Sequence, residues 1–262
     1  MKIALLGDSF LDEYIYGEIE RISPEAPVPV LDVTHREQRG GGAINVANNL
    51  YALGVNFTLF TITSMVLPYE VRSPKGCTIL RKTRYIGTLG SMRQQIVRVD
   101  EPKTYLKEDL KKFIRPSFEE FDIIAFIDYN KGIVDKGKAT IVDSKKKDLS
   151  VFQGSEYLKV NLKEWDECLD RDIFPKAFVT KGRKGIDYYE FGQFKQNSPT
   201  QAKEVVDVSG AGDTVMAVMI YCLVHGITNP AEMMNLANKA AGIVISKFGT
   251  SVVTLKELNP NG

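Results

Sequence analysis

The segment Asp207-Val208-Ser209-Gly210-Ala211-Gly212-Asp213-Thr214 runs directly into an apolar helical pattern from Val215 to His225. Two glycines and an alanine at a helix N-terminus leave several backbone N–H groups unobstructed. With the helix dipole, Gly210, Ala211 and Gly212 offer a seat for a negatively charged oxygen or a phosphate. Asp213, in the first turn of the same helix, would stand beside the group so held, where a carboxylate can take the proton of an attacking hydroxyl. The spacing also fits a plain helix start after a glycine turn, because Asp is favoured in a first turn.

Two further clusters carry chemistry of a different kind. Gly40-Gly41-Gly42 precedes a helical pattern over Ala43–Leu53, with Asn45 on its first turn. Glycines there let backbone approach a ligand closely, and the amide supplies both a donor and an acceptor. Near the N-terminus, Gly7-Asp8-Ser9-Phe10-Leu11-Asp12 places two carboxylates just after the first apolar run. Ionised carboxylates are acceptors only and suit vicinal hydroxyls; the same pair equally fits a helix cap and a turn. No Gly-x-x-x-x-Gly-Lys-Ser/Thr and no Gly-x-Gly-x-x-Gly occurs, so neither phosphate-binding fingerprint competes.

What must position these residues is an α/β fold. The runs Ile3–Leu6, Phe57–Ile62, Ile123–Ile127, Thr140–Val142 and Ala177–Thr180 are short and often β-branched, as in strands buried on both faces. Helical patterns at Ala43–Leu53, Lys107–Ile114, Asp213–His225 and Pro230–Lys247 alternate with them. The expectation is one domain over 1–262 with a doubly wound, mostly parallel sheet, whose ligands gather at the carboxyl ends of the strands. Two stretches break the alternation: Tyr14–Thr34, with Pro24, Pro27 and Pro29, and Lys82–Val99. They predict a small β lid over about 14–34 and 82–99. The run Lys145-Lys146-Lys147 reads as a solvated loop.

A net charge of +1 gives no global attraction to nucleic acid or an acidic membrane, so an anionic ligand must be held locally. Cys77, Cys168 and Cys222 show neither disulfide nor zinc spacing, which fits a reducing cytoplasm. The apolar opening is cut short by Gly7-Asp8, against a signal peptide, and no apolar run reaches the length of a membrane span.

Taken in order, Gly7-Asp8, Gly40-Gly41-x-x-x-Asn45, Asn161-x-x-Glu164 and Gly210-Ala211-Gly212-Asp213 resemble the ribokinase-like, or PfkB-type, carbohydrate kinases. Within that family, Arg21-Ile22-Ser23-Pro24-Glu25-Ala26-Pro27-Val28-Pro29-Val30, Asp128-Tyr129-Asn130-Lys131-Gly132 and the segment from Pro199 to Val205 resemble the branch that phosphorylates D-glycero-β-D-manno-heptose 7-phosphate. The likeness runs from Lys2 to about Leu258. It leaves no room within these residues for the nucleotidyltransferase to which such kinases are sometimes fused.

The resemblance implies a ribokinase-like fold, ATP as phosphoryl donor, Mg2+ and a monovalent cation, K+. It implies that Asp213 is the base and that Gly210, Ala211 and Gly212 hold the transferring phosphoryl group. Asp8, Asp12, Gly41, Gly42, Asn45 and Asp128 would bind sugar hydroxyls. Asn161 and Glu164 would organise magnesium, through water, and the ATP phosphates; Thr180, Gly182 and Gly185 would line the nucleotide, and Asn238 would meet the adenine. Asp207, Ser209, Gly249 and Ser251 would hold the monovalent cation. Lys82, Arg84, Arg98 and Lys131 are the basic residues placed to grip a sugar phosphate. A lid with free strand edges also suggests a homodimer.

The chain is short for this family. Ser64–Thr78, with Pro68, Pro74 and Gly76, replaces a helix and a strand, and Ile133–Ala139 is too short for a crossover helix. Ser144 stands for the Pro of the family's Asp-Pro-Lys, Gly40 for another Pro, and Ile44 for a smaller residue. Three readings stay open: a heptose 7-phosphate kinase, a kinase for another sugar or sugar phosphate, and an inactive relative that binds a sugar phosphate or a partner.

Overall fold

The computed structural model describes residues 1–89, 92–200, 207–247 and 249–258. In the first strand, Ile3 and Leu5 enter one hydrophobic core while Ala4 and Leu6 enter another, and all four are buried. A strand with both faces covered must be apolar at every position, which is why these runs are continuous rather than alternating.

In chain order the elements are β1 (Ile3–Gly7), β2 (Ser9–Ile22), β3 (Pro29–Gly42), α1 (Ala43–Ala52), β4 (Thr58–Phe60), β5 (Glu70–Arg72), β6 (Leu80–Leu89) and β7 (Met92–Glu101). There follow α2 (Lys107–Lys112), β8 (Ile123–Asp128), β9 (Ile141–Ser144), β10 (Tyr157–Asn161), α3 (Leu162–Glu167), β11 (Lys176–Thr180), β12 (Ile186–Glu190), β13 (Gln193–Ser198), α4 (Ala211–Val224), α5 (Pro230–Ile245) and α6 (Leu255–Leu258). The central sheet has the order β13-β12-β11-β10-β9-β8-β1-β4-β5. Pairing is parallel from β5 through to β11; β12 alone runs the other way, antiparallel to both β11 and β13. Because these strands share one direction, the residues that end them, Asp8, Asp128, Lys145, Asn161 and Thr180, come out along a single edge.

One face of the sheet is covered by α1, α4 and α5. The other carries the six-residue α2 and α3 and single turns such as Ser150–Phe152, with Phe126, Phe152 and Phe174 filling the space. No helix lies between β4 and β5 or between β8 and β9, as the sequence leads one to expect. The strand expected to be lost with the first helix is present, however, since Glu70–Arg72 pairs with Thr58–Phe60. β10 also escapes a search for apolar runs, because Lys159 interrupts it.

The second sheet has the order β3-β2-β6-β7 and forms the lid. Its strands reach further than 14–34 and 82–99: β2 begins at Ser9, one residue after β1 ends, and β3 continues to Gly42, where α1 starts. Gly40-Gly41-Gly42 is therefore not a loop but the end of a strand, paired with Leu11, Phe10 and Ser9. Glycine is needed at Gly41 because a Cβ there would run into the Asp12 carboxylate and the Phe10 ring. Among the described residues no helix is long and apolar enough to cross a membrane.

Candidate active site

Asp213 lies in the first turn of α4, buried where that helix points at the strand ends. Both of its oxygens are engaged: Tyr129 donates its hydroxyl to Oδ1 at 2.6 Å, and Asn45 donates Nδ2 to Oδ2 at 2.8 Å. Burial pushes the carboxyl above the ordinary carboxylate range, while these two hydrogen bonds and the positive charge of Lys159 pull it back. A carboxylate so held is oriented and more basic than a solvated one, the two properties a general base requires.

The anion seat precedes it. Gly210 caps α4 with φ +79°, and a Cβ there would stand 2.6 Å from Asn45 Nδ2, so only glycine fits by conformation and by space. Among the described residues the N–H groups of Gly212 and Asp213 have no protein acceptor, the condition for receiving an anion. Beneath the seat, Lys159 of β10 pairs with Asp143 of β9 at 2.6 Å, both buried. A Cβ on Gly212 would lie 3.2 Å from Lys159 Nζ, which places that ammonium against the seat. Burial works against the lysine's charge, but Asp143 outweighs it and holds the group protonated.

On the lid side, Asp12 of β2 forms a buried ion pair with Arg84 of β6. Asp8, between β1 and β2, accepts the N–H groups of Lys131 at 2.9 Å and Ile133 at 3.1 Å. Burial pushes its carboxyl up to about 6, against those two hydrogen bonds, and the nearby negative Asp128 adds to the rise. Asp128 receives three internal donors, Lys146 Nζ at 2.6 Å, Ser144 Oγ at 2.6 Å and the Asn130 N–H at 2.8 Å. The solvated-loop reading thus holds for the exposed Lys145 and Lys147 but not for Lys146. Lys146 is drawn in by Asp128, and Lys145 Nζ lies 4.0 Å from the centroid of the Tyr129 ring. Lys82 Nζ sits over Phe10 at 3.2 Å and reaches the same Tyr129 ring at 5.5 Å. Arg98 is turned to Asp100 on the exposed face of the lid.

Beyond the seat opens a cleft of about 530 Å³ lined by Thr180, Gly182, Gly185, Asn238, Ala211 and Gly212. Its walls are apolar side chains that the sequence reading did not single out, among them Ile186, Val215 and Ala241. Asn238 does not point its amide N–H groups into open space: Nδ2 donates to the Ser198 carbonyl at 2.8 Å and fixes the end of β13 against α5. At the end of β10, beside Thr180, Asn161 and Glu164 form a capping box, each side chain accepting the other's N–H at 2.9 Å. That leaves the second Glu164 oxygen available. No cluster of three or more His, Cys, Asp or Glu able to ligate a metal exists among the described residues. The Asn161 amide and the second Glu164 oxygen are hard donors of the kind that magnesium takes beside water and phosphate oxygens. At the other end of the seat, Asp207 accepts the Ser209 and Gly249 N–H groups at 2.8 and 3.0 Å, and the Thr250 hydroxyl is buried without a hydrogen-bond partner. Arg39 donates to the Thr250 carbonyl at 3.3 Å, so a guanidinium already stands beside the segment 249–251 that, with Asp207 and Ser209, was expected to hold a monovalent cation.

Tyr129, Lys145 and Lys159 took no part in the sequence reading of the chemistry. The signal for Lys159 was a charge at the centre of a buried strand, and for Lys145 its place two residues after Asp143.

An open cleft beside an anion seat, a poised carboxylate beyond it and a lid above are set on a ribokinase-like fold. Solved structures agree on the fold: a ribokinase from Thermotoga maritima matches with a TM-score of 0.69 over 98% of both chains at 18% identity. Phosphofructokinase-2 from Escherichia coli in complex with potassium matches with a TM-score of 0.71, at 16% identity, over 98% of this chain and 96% of that one. In sequence, residues 136–257 match the profile of the pfkB family carbohydrate kinases, and this chain carries a PfkB carbohydrate kinase domain. Curated relatives named bifunctional protein HldE are similar along nearly its whole length. That of Photobacterium profundum is 33% identical over 98% of this chain and 62% of the relative. That of Helicobacter pylori strain J99 is 34% identical over 98% of this chain and 65% of the relative. The chain thus spans less than two thirds of the length of these relatives.

Proposed function

We propose that this chain transfers the γ-phosphoryl group of ATP to the anomeric hydroxyl of a heptose 7-phosphate, giving the 1,7-bisphosphate. The observation that carries this reading is the placement of Asp213 between two fixed donors and one step from open backbone N–H groups. The acceptor hydroxyl would lie against Asp213, with the sugar's other hydroxyls directed at Asp8, Asp12 and Asn45. The triphosphate would enter from the 530 Å³ cleft with its γ-phosphoryl on Gly210–Gly212. Asp213 takes the proton as the hydroxyl attacks in line, and Lys159 and the seat offset the charge that gathers on the phosphoryl oxygens. Magnesium at Asn161 and Glu164 would supply further neutralisation of the phosphates.

The heptose branch is supported by the segments around Arg21–Val30 and Asp128–Gly132 and by relatives sharing the name HldE over nearly all of this chain. A homodimer through the lid is supported by exposed apolar side chains on it, Ile22, Val33 and Val97 among them. ADP release from ATP and magnesium, with and without potassium, against heptose 7-phosphate and a panel of other sugars and sugar phosphates tests the reading. Turnover selective for the heptose supports both reaction and branch. Turnover only with another sugar retains the kinase and discards the branch, and no turnover from folded, sugar-binding protein leaves a binding relative.

A further inference from the structure

The cations around the site divide into two groups. Arg84, Lys146 and Lys159 each face a carboxylate, on Asp12, Asp128 and Asp143 respectively, and their charges are answered within the protein. Lys82 and Lys145 are different, and what sets them apart from Lys131, which also has no ion pair among the described residues, is that both are seated on aromatic rings. Among the described residues neither ammonium has a carboxylate within ion-pair distance or a protein hydrogen-bond acceptor, yet both reach the same ring, that of Tyr129. Lys82 comes from the lid strand β6 and is largely withdrawn from water over Phe10; Lys145 comes from the body, directly after β9.

Ammonium groups held over aromatic faces are fixed in position without losing their charge. Two of them converging with no carboxylate in ion-pair contact amount to a site for an anion. That anion is not the nucleotide's. The cleft beside the seat is lined by neither lysine, and Tyr129, whose hydroxyl bonds Asp213, stands between the lysines and the base. A group bound there belongs to the acceptor, on the side of the sugar remote from the reacting hydroxyl.

Resting on the sugar phosphate kinase reading above, we propose that Lys82 and Lys145 together hold the phosphate that the acceptor already carries. Lid and body each contribute one of the two, so that this phosphate joins them. The pair sets the substrate class: a sugar phosphate rather than a free sugar. Arg84 and Arg98, committed to Asp12 and Asp100, serve the lid's structure instead.

The test is a calorimetric comparison of heptose 7-phosphate with unphosphorylated heptose on the wild type, Lys145→Met and Lys82→Met, with ATP as control. Met keeps the stem of each lysine, and Lys145 is exposed, so Lys145→Met does not put folding at risk. The wild type is expected to prefer the phosphorylated sugar. Each substitution is expected to lower its affinity for that sugar about tenfold, leaving heptose and ATP within about twofold. Equal losses for both sugars, unchanged affinity in both variants, or no wild-type preference for the phosphorylated sugar overturns the assignment. Because the readout is binding, it remains decisive if ADP release shows the kinase reading itself to be wrong.

Discussion

The hydroxyl of Tyr129, at the end of β8, lies 2.6 Å from Asp213 Oδ1, at the start of α4, so the two halves of the site are joined by one short hydrogen bond. Replacing Asp213 by Asn removes the base while keeping its shape. Turnover is expected to fall by about 10²- to 10⁴-fold, with sugar phosphate affinity within a few-fold of wild type by calorimetry. Unchanged turnover would remove Asp213 from the mechanism.

Tyr129→Phe tests the bond itself. The hydroxyl lowers the proton affinity of Asp213, so its loss raises a carboxyl that burial has already pushed up. The acidic limb of the kcat profile is expected to move to higher pH, and an unmoved limb with the same kcat would show the contact to be inert.

Lys82 titrates in the range where the enzyme can be assayed. Burial brings its ammonium down to about 8; Lys145 and Arg84 add to the fall, and Asp12 and Asp100 oppose it. Its charge is lost as pH rises through that value, so the KM for a sugar phosphate should climb above pH 8 towards a plateau about tenfold higher, the loss expected of Lys82→Met. The KM for ATP should not follow, and Lys82→Met should abolish the trend.

Asp8 gives a stability signature of the opposite kind. Its folded pKa of about 6 lies above the ordinary carboxylate value, so its contribution is fully present below about pH 4. That contribution is lost as pH rises through about 6. From pH 4 to pH 7.5 the wild type should lose about 2 kcal/mol relative to Asp8→Asn, since one pKa unit is worth about 1.4 kcal/mol and part of the shift is already spent at pH 4. Urea unfolding of both proteins at the two pH values measures this, and parallel behaviour would remove Asp8 as the cause.

Lys159→Met strands the buried Asp143 carboxylate and should cost about 3–5 kcal/mol of stability. Adding Asp143→Leu should restore most of it, because a buried pair replaced by apolar groups loses little. Denaturant midpoints decide, and an additive double variant would show the pair to be uncoupled.

Much of this arrangement is legible in the chain because it is local. Gly210-Ala211-Gly212-Asp213 is contiguous, and its helix start follows from glycine, dipole and an apolar run. The parallel sheet follows in the same way from runs such as Ile123–Ile127. Lys159, Lys145 and Tyr129 are not legible, since each acquires its role from a residue on another strand or helix: Asp143, Lys82 and Asp213. Three lysines in a row look alike in sequence, and only the register of β8 beside β9 turns Lys146 to Asp128 and leaves Lys145 free. The glycines at 40–42 mislead for a related reason. Runs of glycine suggest loops, but here they let a strand pass close to Phe10 and Asp12.

Two of the lid's four connections to the body are very short. Asp8 is the single residue between β1 and β2, and none separates β3 from α1, whereas residues 73–79 lead into β6 and 102–106 lead out of β7. A swing of the four-stranded sheet would have slack in the longer pair but would turn the backbone at Asp8 and Gly42, beside the carboxylate and amide proposed to face the sugar. On that side hinge and binding surface are the same few residues, so the site would register the movement.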